Sequence, residues 1–160
     1  MNREILFRGK QKDNDEWVYG DLIQIPNGRK FIVNNKFGAC IDKDGNFINT
    51  EAPFVCEVFP ETVGQFTGLC DKNGNKIFEG DILLEEEKEY SLEEYGEKVV
   101  GTHNLVVYWN EKACGFWVRR TDKPKGKIYV PEEPLYESFA EELEVIGNIY
   151  DNPELLEVEQ

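Results

Sequence analysis

Residues 65–82 read Gln65-Phe66-Thr67-Gly68-Leu69-Cys70-Asp71-Lys72-Asn73-Gly74-Asn75-Lys76-Ile77-Phe78-Glu79-Gly80-Asp81-Ile82. Asp71 to Asn75 is a polar turn with an Asn-Gly step, which supplies the positive φ that a tight hairpin needs. An apolar pair follows, then Gly80-Asp81, then the apolar start of a strand. Glycine permits a sharp bend, and an Asp beside it can accept nearby backbone N–H groups. The same grammar occurs 60 residues earlier, where Lys12-Asp13-Asn14-Asp15-Glu16-Trp17-Val18-Tyr19-Gly20-Asp21-Leu22-Ile23 aligns without gaps on residues 72–83. Two half-structures that each open with a bend and a strand would account for this. So would the common shape of turn-plus-strand sequences.

On either side, short runs rich in β-branched and aromatic residues alternate with Gly/Asn/Asp turns, the pattern of strands and hairpins. Expected strands are 5–8, 17–25, 29–33, 39–41, 54–58, 81–87, 104–109, 116–120, 128–130 and 144–150. Leu105-Val106-Val107-Tyr108-Trp109 is apolar almost throughout, which predicts a strand covered on both faces. Helix signals are few. Residues 60–66 can make one turn, and 138–143 reads as a short helix with Ser138 as N-cap and Glu141 as its capping-box partner. Residues 85–98 are rich in glutamate and lack a clean apolar period. They could form a solvated loop, a strand end or a frayed helix, and they are expected to be an exposed, mobile insertion.

The chain has 160 residues, 40% hydrophobic and 12% aromatic, enough for one domain or two small subdomains with a true core. That composition excludes a disordered, collagen-like or disulfide-scaffold protein. No apolar run approaches the ~20 residues of a membrane span, and Met1-Asn2-Arg3-Glu4-Ile5 begins no apolar leader. No membrane partner is therefore expected, and the expected location is the cytoplasm. The 18 Lys+Arg against 32 Asp+Glu give a net charge of −14. Residues 1–80 carry 10 against 12, and residues 81–160 carry 8 against 20, so the second half is the acidic one. Such a surface as a whole repels nucleic acid and anionic lipid.

Candidate chemistry is sparse. Cys40, Cys56, Cys70 and Cys114 form no Cys-x-x-Cys pair, and His103 is the one histidine, so a zinc site has no ligand set. The cysteines are expected to be free thiols serving as small core residues. Any Ser-His-Asp or Cys-His nucleophile would have to recruit His103. Asp42-Lys43-Asp44-Gly45-Asn46 and Asp71-Lys72-Asn73-Gly74-Asn75 place glycine at position four, whereas a calcium loop of the EF-hand type needs it at position six, so hairpin turns are expected. Residues 64–74 are glycine-rich without the Gly-Lys-Ser/Thr end of a phosphate loop. Gly20-Asp21 and Gly80-Asp81 read as structural bends rather than converging acid-base carboxylates. The sequence assigns no catalytic residue, no cofactor and no metal. Its one basic cluster is Arg119-Arg120-Thr121-Asp122-Lys123-Pro124-Lys125-Gly126-Lys127, five cations and one acid beside Phe116, Trp117 and Tyr129. On a hairpin, Arg119, Arg120, Lys123, Lys125 and Lys127 are candidate phosphate contacts with aromatics for stacking. The other reading is a polar hairpin tip with its cations paired to the abundant acids.

Three stretches in this order and spacing go beyond generic strand grammar: Phe7-Arg8-Gly9 with Trp17-Val18-Tyr19-Gly20-Asp21-Leu22; residues 65–82; and Glu144-Val145-Ile146-Gly147-Asn148-Ile149-Tyr150-Asp151-Asn152-Pro153-Glu154-Leu155-Leu156. Together they resemble the YopX family of phage and prophage proteins over essentially the full length. Gly20, Asp21, Gly68, Gly74, Gly80, Asp81, Gly147 and Asn148 are the motif positions, read as structural. The chain departs from the family pattern at Gly9, where an aromatic or Ala is common, and at Cys70, where Lys is common. Residues 84–104 are where members are expected to vary in length.

The resemblance implies a mainly β fold with an SH3-type barrel in its C-terminal part. It brings no catalytic or binding residues to carry over. The expected organisation is a small β subdomain over 1–60, a connecting segment over 61–79, and an SH3-like barrel over 80–160 with one short helix before the last strand. The expected function is a non-enzymatic protein-binding or assembly module in the cytoplasm of a bacterial host, as a homo-oligomer or with a protein partner. The alternative is a nucleic-acid-binding module using the 119–127 hairpin. A third reading, acidic mimicry of DNA, rests on net charge alone.

Overall fold

The computed structural model describes residues 4–34, 40–41, 47–48, 54–91, 95–122 and 132–156. The chain divides into two units, Met1–Phe66 and Thr67–Gln160. The described strands are β1 (Phe7–Lys10), β2 (Trp17–Gln24), β3 (Lys30–Asn34), β4 (Cys40–Ile41), β5 (Phe47–Ile48), β6 (Phe54–Val58), β7 (Gly64–Cys70), β8 (Lys76–Phe78), β9 (Asp81–Ser91), β10 (Gly96–Asn110), β11 (Gly115–Arg120), β12 (Glu132–Pro134) and β13 (Glu144–Asn148). In sheet order they read β6-β3-β2-β1-β7-β8, β12-β11-β10-β9-β13 and the pair β4-β5. The fold is mainly β and antiparallel, with one short α-helix, α1 (Glu137–Ala140), before the last strand.

In the first unit β2 carries the alternation of a half-buried strand, with Val18 buried and Tyr19 exposed. Val18, Ile32, Cys56 and Val58 form the core, with Phe7, Leu22 and Val63 packed against it. Gly9 lies where a Cβ would stand 3.0 Å from the Val58 Cβ, so β1 packs closely over Val58 because it has no side chain there. At the surface, Glu57 accepts from Lys12 Nζ at 2.7 Å and from the Arg29 guanidinium through both oxygens. The Arg29 fork first, then Lys12, lower the Glu57 pKa to about 2.

In the second unit Ile77, Leu83, Leu105, Val107, Phe116, Val118, Leu135, Ala140 and Leu143 form one core, flanked by Leu69, Phe139 and Val145. β9, β10 and β11 present alternate residues to it, as the period of two requires. Residues 105–109 differ from expectation. Leu105 and Val107 are buried, Val106 and Tyr108 half-buried and Trp109 exposed, so one face is covered at Leu105 and Val107 and opens at Trp109, and the other is only partly covered. Trp109 instead meets Phe116 edge-on at 5.1 Å across the hairpin.

Of the three forms expected for residues 85–98, the described residues take the strand end. β9 is 11 residues long and β10 is 15, and their register runs from Ile82↔Val106 out to Ser91↔Gly96. The described glutamate-rich residues are thus paired strand ends: Glu85 stays half-buried at the core edge, and Glu86 to Tyr90 are exposed and need no apolar period. The helix differs too. It starts at Glu137 after Tyr136, with no side-chain cap, so Ser138 lies inside the first turn and is not the N-cap. Burial of Ala140 and Leu143 seats this short turn instead. Pro60–Thr62 forms a 3₁₀ turn, as the local signal suggested. The expected strand 128–130 and the turn 42–46 lie outside the described residues. Among the described residues the five-stranded sheet ends on β12 and β13 and does not close into a barrel.

Candidate interaction surfaces

The motif residues of the second unit build turns. The buried Asp71 carboxylate accepts four hydrogen bonds: Asn73 N–H at 2.9 Å and Asn75 N–H at 2.8 Å on Oδ1, and Asn75 Nδ2 at 3.1 Å and Val145 N–H at 2.9 Å on Oδ2. Burial alone would raise its pKa, but the hydrogen bonds outweigh burial and hold it below the ordinary value. Gly74 occupies the positive-φ position of this turn, at +82°. No group of three or more His, Cys, Asp or Glu among the described residues is placed to hold a metal ion.

Gly80 adopts φ +83°, and the buried Asp81 carboxylate accepts Phe78 N–H at 2.7 Å, so this Gly-Asp is a bend closed by its own Asp. Gly20-Asp21, its sequence counterpart, sits in mid-strand in β2, where Phe7 pairs with Gly20 and Asp21 with Val33. No bend occurs there. The two aligned stretches therefore fold differently after the turn. Gly68 takes φ +91° within β7. Asn148 Oδ1 accepts Tyr150 N–H and Asp151 N–H, both at 3.0 Å, which stops β13. A Cβ on Gly147 would lie 2.4 Å from Asn152 Oδ1, so the motif glycine leaves room for the asparagine that folds back on it.

A row of ionisable side chains lies at the edge of the second core. Leu83 and Leu105 are cross-strand partners inside it, and two residues outward the same face carries Glu85 opposite His103. His103 Nε2 is 3.0 Å from Glu87 Oε2, and Nδ1 is 3.4 Å from Asp122 Oδ2. Arg120 Nε donates to Asp122 at 3.2 Å. The hydrogen bond from His103 lowers the Glu87 pKa. Burial, with Glu133 nearby, raises that of Glu85 against the pull of Arg120 and His103. His103 is thus engaged by carboxylates, and no thiol is paired with it among the described contacts. The cysteines also differ from expectation: Cys56 is buried, with its thiol pushed up by burial, but Cys70 and Cys114 are exposed.

The basic cluster is divided. Arg119 and Arg120 are successive residues of β11 and so point to opposite faces of the sheet. Arg120 turns to the ionic row. Arg119 is exposed, with its guanidinium 5.5 Å from the centre of the Tyr108 ring. Lys123, Lys125 and Lys127 lie outside the described residues. Beside this end of β11 is a cleft of about 460 Å³ lined by Val106, Arg119, Arg120, Thr121, Ile149 and Leu156.

The feature that sequence reading missed is the ribbon made by the outer halves of β9 and β10. Glu86, Glu87, Lys88, Glu89 and Tyr90 on β9 and residues 97–100 on β10 are exposed, and the apolar side chains are not spared: Tyr90 is 63% exposed, Tyr95 in the turn 87%, Val99 48% and Val100 47%. The register shifts between Val99 and Gly101, so this strand also carries a bulge. The available signal was the β-branched pair Val99-Val100 opposite a run holding Tyr90, masked by the glutamates between them.

A family model described as YopX protein matches residues 6–157. Comparison with curated proteins gives no match. Among solved structures, the crystal structure of protein EF1440 from Enterococcus faecalis is similar, with 21% sequence identity, 96% of this chain and 99% of that chain covered, and a TM-score of 0.48.

Proposed function

The chain belongs to the YopX family, and from that premise we propose a non-enzymatic protein-binding or assembly module, acting in the cytoplasm of a bacterium that carries the phage or prophage. The observation that carries this reading is the β9–β10 ribbon. A two-stranded ribbon is marginal in water by itself. This one also exposes Tyr90, Tyr95, Val99 and Val100, the kind of apolar surface that marks a protein contact. The partner is a protein, and a second copy of this chain is the first candidate. The sheet order β12-β11-β10-β9-β13 puts the last strand beside the first of the five, with α1 just before it. That order supports an SH3-type architecture for the second unit, a scaffold that carries binding surfaces rather than an inherent activity.

The test is sedimentation velocity on the intact protein and on a Val99→Ser/Val100→Ser variant across a concentration series. Association in the parent that is weakened in the variant supports the reading. Unchanged association rejects the ribbon as the contact.

A second reading, a nucleic-acid-binding module, is favoured by one observation: the exposed Arg119 guanidinium over the Tyr108 ring. It predicts salt-sensitive binding that weakens when Arg119, Arg120 and Lys125 become Ala. Binding indifferent to those changes rejects the site.

A further inference from the structure

We infer that the cleft beside Arg119 is a binding site for a small organic anion, a carboxylate carried on an apolar body. The cleft lies against β10 and β11. Val106 and Arg119 are cross-strand partners there, and Thr121 follows Arg119 on the same face. The opposite wall comes from Ile149 and Leu156. That wall is fastened: Asn104 Nδ2 donates to the Leu155 carbonyl at 2.9 Å, and Pro153–Leu156 forms a 3₁₀ turn.

The lining decides the chemistry. In a chain of net charge −14, the cleft is lined by two arginines, one threonine and three aliphatic residues, with no carboxylate. Arg120 shares its charge with Asp122. Arg119 is an exposed residue with its guanidinium over the Tyr108 ring; Glu132 is its cross-strand partner, but no described carboxylate forms an ion pair with it. A guanidinium held against an aromatic face is a preorganised donor pair for a carboxylate. Val106, Ile149 and Leu156 offer apolar surface for the body of the ligand. At about 460 Å³ the cleft falls in the size range of small-molecule sites. The acidic surroundings disfavour polyanions more than a small monoanion. The inference is independent of the ribbon and of self-association.

The test is an amide chemical-shift titration of the intact protein with octanoate, set against octylammonium and octanol. Saturable shifts at Val106, Arg119, Thr121 and Ile149 with octanoate alone are expected. Arg119→Gln should weaken octanoate about tenfold, the scale of one lost charged hydrogen bond, with the other amide positions unchanged. Leu156→Glu, which places a negative charge on the opposite wall, should weaken it likewise. An apolar dipeptide with a free carboxylate, compared with its amide, distinguishes a chain end from a small acid as the natural source. Equal shifts from octylammonium or octanol, or octanoate binding indifferent to both substitutions, would overturn the inference. Displacement of octanoate by an oligothymidylate would overturn it in favour of nucleic acid.

Discussion

The Asp71 carboxylate accepts the backbone N–H of Val145 at 2.9 Å across a sequence separation of 74 residues. With Lys72 N–H on the Leu143 carbonyl at 2.9 Å and Lys72 Nζ on Glu144 at 2.8 Å, it fastens the last strand to the 71–75 turn. The two most specific stretches of the sequence thus meet at one carboxylate. Asp71→Asn puts an amide where four donors now converge and should cost about 3 kcal/mol, the scale for a buried charged hydrogen-bond acceptor. Urea denaturation at neutral pH measures it.

The same carboxylate sets part of the acid response. Its pKa is lower in the folded chain than its ordinary value, so its contribution is complete above the unfolded pKa and is lost as pH falls through the folded one. The parent should lose stability on acidification more steeply than Asp71→Asn. Parallel slopes in denaturation midpoint against pH would argue against this linkage. Glu57, held at about 2 by Arg29 and Lys12, acts in the same direction in the first unit, so the comparison is made with Glu57 intact.

Gly147 and Asn152 form a second coupled pair. A Cβ at 147 would stand 2.4 Å from Asn152 Oδ1. Gly147→Ala should cost about 2 kcal/mol through overpacking. Adding Asn152→Ala removes the colliding oxygen, so the double variant should cost less than the sum of the two singles. A thermodynamic cycle by thermal unfolding reads the coupling.

His103 accounts for the titration of Glu87. In the parent Glu87 titrates below its ordinary value because His103 donates to it. In His103→Ala the carboxyl should return towards the ordinary range, a change visible in carboxyl-carbon NMR. A Glu87 titration that stays put would show that the 3.0 Å contact carries no weight in solution.

Much of the fold was legible because hairpin chemistry is local. The Asn73-Gly74 turn and the alternation in β2 and β11 are dictated by neighbours in sequence, and they lie close to where their residues imply. The failures share a physical cause. Gly20-Asp21 and Gly80-Asp81 look alike, yet only Gly80 takes a positive φ, because pairing on both sides holds Gly20-Asp21 extended in β2. The ribbon was hidden because residues that touch no core carry no periodic signal. Arg119 and Arg120 read as one patch, but the strand's own alternation sends them to opposite faces. His103 gave no hint of its carboxylate neighbours, since Glu87 and Asp122 reach it across strands and not along the chain.

The ribbon separates stability from association. Val99 and Val100 are about half exposed, so replacing both with Ser should change folding stability by less than about 0.5 kcal/mol each. Chemical denaturation checks this before any association experiment is interpreted.

The most direct test of the central claim is native mass spectrometry of the intact protein, purified gently from the cells that naturally make it and without nuclease. The account predicts a homo-oligomer or a complex with another protein, lost in the Val99→Ser/Val100→Ser variant. A monomer free of any partner, or a mass explained by bound nucleic acid, would contradict it.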